Sequence, residues 1–137
     1  MKRLLYILAL LTASLLPLAT QADNATSKGK PDIEFVKTTN DFGSIHENGK
    51  PVSATFEFTN TGTAPLLIVT ASASCGCTKP KFDPKPVMPG QKSQISVTFD
   101  PAGKRGEFDK TVTVRTNIKD KRRVVLHLTG VVIPPAK

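Results

Sequence analysis

The sequence contains no tryptophan and a single tyrosine, Tyr6, and it has only two cysteines and two histidines. Proteins that bind single-stranded nucleic acid stack bases on aromatic side chains. Tyr6 lies in an N-terminal segment that we expect to be removed, so neither tyrosine nor tryptophan would remain for such stacking. We therefore expect no nucleic acid as a partner, although the formal net charge of the chain is +8.

Motifs of several enzyme classes are also absent. No Gly-x-Ser-x-Gly elbow is present, and a serine-histidine-aspartate triad would have to use His46 or His127. One residue separates the cysteines, whereas a thioredoxin-like motif has two. Five residues separate Gly43 from Gly49, whereas a phosphate-binding loop needs four. The sequence predicts a protein that is not an enzyme, and it indicates no catalytic residue and no cofactor.

The one long apolar stretch lies at the N-terminus. Two basic residues precede an unbroken apolar run at residues 4–11, and apolar residues continue to Ala19. A membrane-spanning helix needs ~20 apolar residues, whereas a shorter run followed by small residues is typical of a signal peptide. We predict cleavage after Ala22, export to the periplasm or cell exterior, and no membrane span in the mature protein. The alternative is an uncleaved membrane anchor.

Apolar and polar residues alternate in four later segments, as in strands with one buried face. These segments are 52–59, 94–99, 111–115 and 124–128. Residues 66–69 are apolar without alternation, which favours a strand buried on both sides. Ile33 and Phe35 indicate one more short strand, and we expect Phe42 and Ile45 to close one end of the core.

Turn-forming residues separate the predicted strands. They lie at 60–62, 89–90, 103–106 and 117–121. Three prolines within 80–86 predict an irregular or edge-like segment, because proline cannot donate a hydrogen bond to a sheet. About seven short strands predict a single immunoglobulin-like antiparallel β-sandwich, with a partly open barrel as the alternative. We assign a signal peptide to 1–22, a flexible leader to 23–32, the domain to 33–133 and a tail to 134–137.

Cys75-Gly76-Cys77 is the one segment with distinctive chemistry, and three interpretations of it remain open. Export would permit a local disulfide, although so short a loop would contribute only about 1.5 kcal/mol to stability. The two thiols could instead bind a soft metal such as Cu(I) or Zn(II), or exchange with other thiols. A metal would need further ligands, for which the candidates are His46, His127 and Met88. In the third interpretation, both cysteines simply pack as small apolar residues.

Basic residues cluster near two of the predicted turns, which suggests a cationic rim. They are Lys104, Arg105, Lys110, Lys119, Lys121, Arg122 and Arg123. Such a rim would weakly attract anionic envelope polymers or lipid head groups, and the alternative is an ordinary solubilising surface.

Six segments of the sequence together resemble a known bacterial family. The resemblance rests on DFGSI at 41–45, FEFTNTGTAPLLI at 56–68, SCGCT at 74–78, PGQKSQISVTFDP at 89–101, GEFDKTVTV at 106–114 and LTG at 128–130. These segments are similar, in order, to domain-of-unknown-function family 1573, which is common in exported proteins of Bacteroidetes. The resemblance covers residues 41–132. It implies an immunoglobulin-like domain related to hydin and major sperm protein modules, with Cys75 and Cys77 as its hallmark pair.

The resemblance implies an extracytoplasmic binding or scaffold module of unknown biochemical role. Our leading hypothesis is a non-enzymatic module that binds an envelope protein or an anionic surface polymer. Edge strands and end loops are the expected contact sites, and we place the contact region at residues 75–89. The rival hypothesis is a soft-metal or thiol-exchange protein acting through Cys75 and Cys77. The sequence does not indicate the oligomeric state.

Overall fold

The computed structural model describes residues 29–121, 123–135 and 137, and within them it contains eight strands and no helix. The strands are β1 (Ile33–Phe35), β2 (Thr39–His46), β3 (Val52–Asn60), β4 (Ile68–Ala73), β5 (Thr78–Phe82), β6 (Lys92–Phe99), β7 (Gly106–Thr116) and β8 (Arg123–Ile133). They form two four-stranded sheets. Sheet A has the order β1-β3-β6-β5, and sheet B has the order β2-β8-β7-β4.

The inward faces of the two sheets form one hydrophobic core. Phe56 and Phe58 of β3 and Phe99 of β6 are almost completely buried, and burial of each such side chain contributes roughly 2–3 kcal/mol. Phe99 also stacks on Phe108 of β7, with ring centroids 4.3 Å apart, so that it links sheet A to sheet B. The predicted all-β sandwich is confirmed, and the two separate sheets exclude the barrel alternative.

Sequence alternation located the central strands correctly. The four alternating segments lie in β3, β6, β7 and β8, and Ile33 and Phe35 lie in β1. Two strands, β2 and β5, were not predicted. Phe42 and Ile45 belong to β2, an edge strand that pairs in parallel with β8 and has a register irregularity between Asp41 and Ser44. Phe42 packs against the core.

The proline-containing segment is in part a true strand. Thr78 to Phe82 form β5, which pairs with β6 at the edge of sheet A. The prediction of an edge-like segment is therefore confirmed for Pro80, while Pro84 and Pro86 lie in the connection that follows.

The prediction that residues 66–69 are buried on both sides is wrong. Leu66 and Ile68 are buried, but Leu67 is 36% exposed and Val69 is 59% exposed. The segment leads into β4, an edge strand of sheet B, and no described element covers its outer face. The apolar residues at 67 and 69 therefore lie on the surface of the domain.

The sandwich has two distinct ends. The disulfide end carries the connections at 47–51, 74–77 and 100–105, and the far end carries those at 36–38, 61–67, 83–91 and 117–121. Most connections cross between the sheets. The exceptions are β5–β6 and β7–β8, which are antiparallel neighbours within one sheet.

The residues just before β1 contact the far end of the sandwich. Lys30 donates its backbone N–H to Thr63 Oγ1 at 3.1 Å, and its carbonyl accepts a hydrogen bond from Thr63 N at 2.8 Å. A Cβ on Gly62 would collide with the backbone of residues 30–32, so this close approach requires glycine. The predicted signal peptide, most of the predicted leader, and the proposed cleavage site lie outside the described residues.

Candidate functional site

Cys75-Gly76-Cys77 forms the crossing from β4 of sheet B to β5 of sheet A. Backbone hydrogen bonds fix the chain on both sides of it. Ser74 N donates to Thr111 O of β7 at 2.8 Å, and Asp100 N, just after β6, donates to Cys77 O at 2.9 Å. The crossing is therefore attached to one strand of each sheet.

The sulfurs of Cys75 and Cys77 are bonded to each other in the structure, and their Cα atoms are 5.3 Å apart. Both residues are half-buried. The hydroxyl of Thr78, which is only 3% exposed, lies 3.5 Å from Cys75 Sγ and 3.8 Å from Cys77 Sγ. Thr78 is the buried polar neighbour of the pair, and sequence reasoning did not single it out.

A cleft of about 180 Å³ opens beside Cys77 at the disulfide end. Gly76 and Cys77 form part of its wall, and Lys79 of β5 and Lys104 of the β6–β7 connection line it as well. Asp100 supplies one carboxylate. These residues come from two separate stretches of the chain, 76–79 and 100–104, so their meeting depends on the β5–β6 pairing and on the return of the chain towards β7.

The structure does not bring the candidate metal ligands to the cysteine pair. Met88 lies at the far end, in the connection between β5 and β6. His46 lies on β2, three strands from β4, which at ~4.8 Å per strand is at least about 14 Å away. Its Nδ1 is 3.0 Å from Pro134 O. His127 Nδ1 instead lies 2.9 Å from a carboxylate oxygen of Asp109.

Within the described part of the chain, no group of three or more histidine, cysteine, aspartate or glutamate side chains is arranged to hold a metal ion. The soft-metal hypothesis therefore has no complete ligand set in this region.

The predicted cationic rim is not one surface. Lys104 and Arg105 lie at the disulfide end, whereas Lys119 and Lys121 lie at the far end. The 11 residues of β7 separate the two groups, a length of roughly 36 Å at 3.3 Å per residue. Arg105 Nε is 3.2 Å from Glu47 Oε2, and Lys121 Nζ is 3.7 Å from Asp32 Oδ1.

The remaining members of the predicted rim do not unite these two groups. Lys110 lies partway along β7, away from both groups, whereas Arg123 begins β8 and therefore lies with the far-end group. Arg122 lies outside the described residues.

A second groove, of about 420 Å³, runs along the start of β4 at the far end. Val69 and Thr70 of β4 form one side, and Arg115, Thr116, Asn117 and Lys119 of β7 and its following turn form the other. The Asn117 side chain fixes this arrangement. It accepts a hydrogen bond from Leu67 N at 2.9 Å and donates one to Pro65 O at 3.1 Å.

The family of the chain follows from its match to a family model. The model described as "Protein of unknown function (DUF1573)" matches residues 33–132, which extend from the first residue of β1 into β8. The chain belongs to this family. The resemblance of the quoted motifs to DUF1573 is thus confirmed, and the matched segment contains the whole cysteine crossing. No curated protein matches the chain.

Several solved structures share the fold of this DUF1573 domain. A protein of unknown function from Porphyromonas gingivalis W83 is similar with a TM-score of 0.66 and 17% identity, over 74% of this chain and 47% of that one. The ASH/PapD-like domain 7 of human CEP192 gives 0.62 and 15%, over 79% and 89%. The secreted serine protease VesC from Vibrio cholerae gives 0.59 and 10%, over 77% and 24%.

These similarities establish the fold alone, because all of the identities are low. The chain spans about half of the Porphyromonas protein and about a quarter of VesC. The DUF1573 domain is an immunoglobulin-like, PapD-like β-sandwich. Among its described residues no helix is long and apolar enough to cross a membrane.

Proposed function

We propose that this DUF1573 protein is an exported, non-catalytic module of the bacterial cell envelope that binds an extended segment of a partner protein along the free edge of β4. The N-terminal sequence pattern supports export. The family and the immunoglobulin-like fold support a binding role rather than catalysis. The observation that carries the proposal is that β4, from Thr70 to Ala73, is a regular edge segment of the described sheets with no proline, charged residue or register irregularity.

The other three edges have recognisable protection. β1 is only three residues long. β5 contains Pro80 between Lys79 and Lys81, and β2 has an irregular register next to Gly43. Short strands, proline, lysine and bulges all discourage the addition of a further strand.

β4 has the sequence IVTASA, which contains neither proline nor a charged residue. Its single irregularity lies at its start, between Ile68 and Thr70. The remaining residues pair regularly with β7. This edge therefore offers an uninterrupted backbone for pairing with another strand.

The hydrogen-bonding pattern shows which groups of β4 face outwards. Ser74 N bonds to Thr111 O, and hydrogen-bonded pairs alternate along an antiparallel ladder. Thr70 and Ser72 therefore direct their backbone groups towards β7, whereas Ala71 and Ala73 direct theirs towards the free edge. An extended peptide could pair with these outward groups by β-augmentation.

The groove beside β4 indicates what kind of peptide would fit. Val69 supplies exposed apolar surface, while Arg115 and Lys119 supply two positive charges. No carboxylate lines the groove, and neither cation forms an ion pair with a described acidic residue. An added strand would lie on the other side of β4 from β7, and its alternate side chains would point to opposite faces of the sheet. A segment that alternates apolar and acidic residues can direct its acidic side chains to the outer face, where they complement the positive charge of Arg115 and Lys119 across β4.

A titration followed by NMR tests the proposal. The probe is a short peptide in which valine alternates with aspartate, added to the isotopically labelled protein. We expect the largest shifts at the amides of Ala71 and Ala73, with further changes at Arg115. A matched peptide with lysine in place of aspartate should bind more weakly, because it would meet two cations.

One control variant and one test variant distinguish the β4 groove from other surfaces. Lys81→Glu places a charge change on β5 and should leave the peptide affinity unchanged, whereas Arg115→Glu should reduce it. Shifts centred on β5 or on the cleft beside Cys77 would contradict the assigned surface. Stronger binding of alginate, a linear anionic polysaccharide, would instead identify the groove as a polymer site and refute the choice of a protein segment.

A further inference from the structure

The disulfide at the crossing between the sheets is open to solvent on one side and buried on the other. The geometry points to Cys75–Cys77 as a thiol–disulfide exchange site that accepts an anionic thiol through the cleft beside Cys77. This site lies at the disulfide end of the sandwich, away from the β4 groove at the far end. The edge of β4 runs into the same crossing, but the inference rests on the disulfide and its cleft and does not depend on strand addition at β4.

The cleft favours a negatively charged reactant. Lys79 and Lys104 line it and form no ion pair with a described carboxylate. Asp100 also lines it, and its Oδ1 accepts a hydrogen bond from Ala102 N at 3.0 Å. Two cations against one carboxylate leave a net positive potential, which attracts both the thiolate and any carboxylate that the thiol carries.

The two sulfurs have different surroundings. Cys77 lines the cleft, so an incoming thiolate would reach its Sγ. The Thr78 hydroxyl is closer to Cys75 Sγ, at 3.5 Å, than to Cys77 Sγ, at 3.8 Å. Because a hydroxyl can donate a hydrogen bond to a thiolate, Cys75 is the better-supported leaving group.

The fold does not need the bond in order to hold the crossing. The hydrogen bonds from Ser74 N to Thr111 O and from Asp100 N to Cys77 O would persist after the sulfurs separate. A third bond, from Thr78 N to Cys75 O at 3.2 Å, closes the turn itself. Opening the disulfide is therefore a local event, and the two thiols would remain close enough to bond again.

The exchange needs no external oxidant, because one sulfur–sulfur bond forms as another breaks. The thiolate sulfur bonds to Cys77 Sγ, the Cys75–Cys77 bond breaks, and its electron pair leaves on Cys75 Sγ, which the Thr78 hydroxyl stabilises. A second thiol can then attack the mixed disulfide, which leaves the protein as a dithiol and releases the small molecule as its own disulfide. In the reverse direction, the Cys75 thiolate attacks the mixed disulfide and restores the original bond.

Exchange rates with thiols of different charge test the inference. The purified protein is mixed with glutathione, which is anionic, or with cysteamine, which is cationic, quenched with acid, and analysed by intact mass and peptide mapping. We expect a mixed disulfide at Cys77. Lys79→Glu/Lys104→Glu should slow the reaction with glutathione by about tenfold, and should not slow the reaction with cysteamine.

Lys85→Glu/Lys92→Glu is the matched control, since it makes the same charge change at the other end of sheet A and should alter neither rate. Comparison of Cys75→Ser with Cys77→Ser gives a second test, in which the lone Cys77 should react with oxidised glutathione faster than the lone Cys75. Thermal unfolding confirms that each variant is folded. The inference is overturned if the disulfide resists glutathione, if the adduct lies on Cys75, or if the lysine variants do not change the rate.

Discussion

At the scale of single residues, Asn60 is a buried polar side chain that connects separate segments at the far end of the sandwich. It is completely buried at the end of β3. Its Nδ2 donates to Ala64 O and to Val87 O, both at 2.8 Å, and its Oδ1 accepts from Gly62 N at 2.9 Å. One side chain thus connects the β3–β4 connection to the segment that precedes β6.

Asn60→Ala should destabilise the domain by about 3 kcal/mol, because it leaves buried backbone groups without partners and creates a small cavity. The measurement is urea-induced unfolding. Thr61→Ala, at the exposed neighbouring position, is the control and should change stability by less than about 0.5 kcal/mol. Equal effects of the two substitutions would show that the buried amide does not carry this role.

The sequence located part of the candidate site at this scale. Cys75 and Cys77 stand out because their spacing is unusual and the chain has no other cysteine. Lys79 and Lys104 did not stand out as neighbours of the pair, because one is on β5 and the other follows β6. Thr78 was read only as the end of a motif, since nothing in a sequence shows that its hydroxyl faces both sulfurs.

At the scale of elements, the sequence predicted the strands whose two faces differ. Strands β3, β6, β7 and β8 have one face in the core, so their polarity alternates. β2 was missed because its register irregularity between Asp41 and Ser44 disrupts that alternation. The apolar run at 66–69 led to the opposite error, since burial on both sides was predicted where one face is exposed. An edge strand with an exposed face can be as apolar as a buried strand.

β4 and β5, the two edge strands that the cysteine crossing connects, differ in whether they contain a proline. The antiparallel alternation that places Asp100 N on Cys77 O directs the backbone nitrogen of Pro80 towards the free edge of β5. Proline has no N–H there, so β5 lacks a donor at the position where a further strand would need one. β4 contains no proline, so each of its outward-facing residues keeps its N–H.

Pro80→Val/Lys81→Thr should therefore make β5 available for strand pairing and increase self-association. Sedimentation velocity over a range of protein concentrations measures this, and we expect larger species than for the unmodified protein. Lys85→Thr removes one charge from the following connection and should have no such effect. An unchanged sedimentation coefficient for the double variant would mean that Pro80 and Lys81 do not protect this edge.

At the scale of the whole molecule, the β4 groove and the cleft beside Cys77 lie at opposite ends of the sandwich, and the edge of β4 runs from one towards the other. The β4 groove contains Arg115 and Lys119 at the far end, and the cleft contains Lys79 and Lys104 at the disulfide end. These four positive charges therefore lie on two surfaces rather than in one rim.

Export, which we propose for this protein, would place both candidate sites in an oxidising compartment. We expect the protein recovered from the periplasm or culture medium of a bacterial host to begin at Asp23, as determined by N-terminal sequencing and intact mass. Recovery in the membrane fraction with residues 1–22 still attached would support the uncleaved anchor instead.

The central claim is that a partner segment pairs with the outward backbone groups of β4, and Ala71→Pro tests it most directly. The substitution removes one outward N–H and is compatible with an edge position, where that group faces solvent. We predict that Ala71→Pro lowers the affinity for the valine–aspartate peptide by about tenfold, the equivalent of roughly one hydrogen bond, while the urea midpoint changes little. An unchanged affinity in a folded Ala71→Pro protein would contradict strand addition at β4.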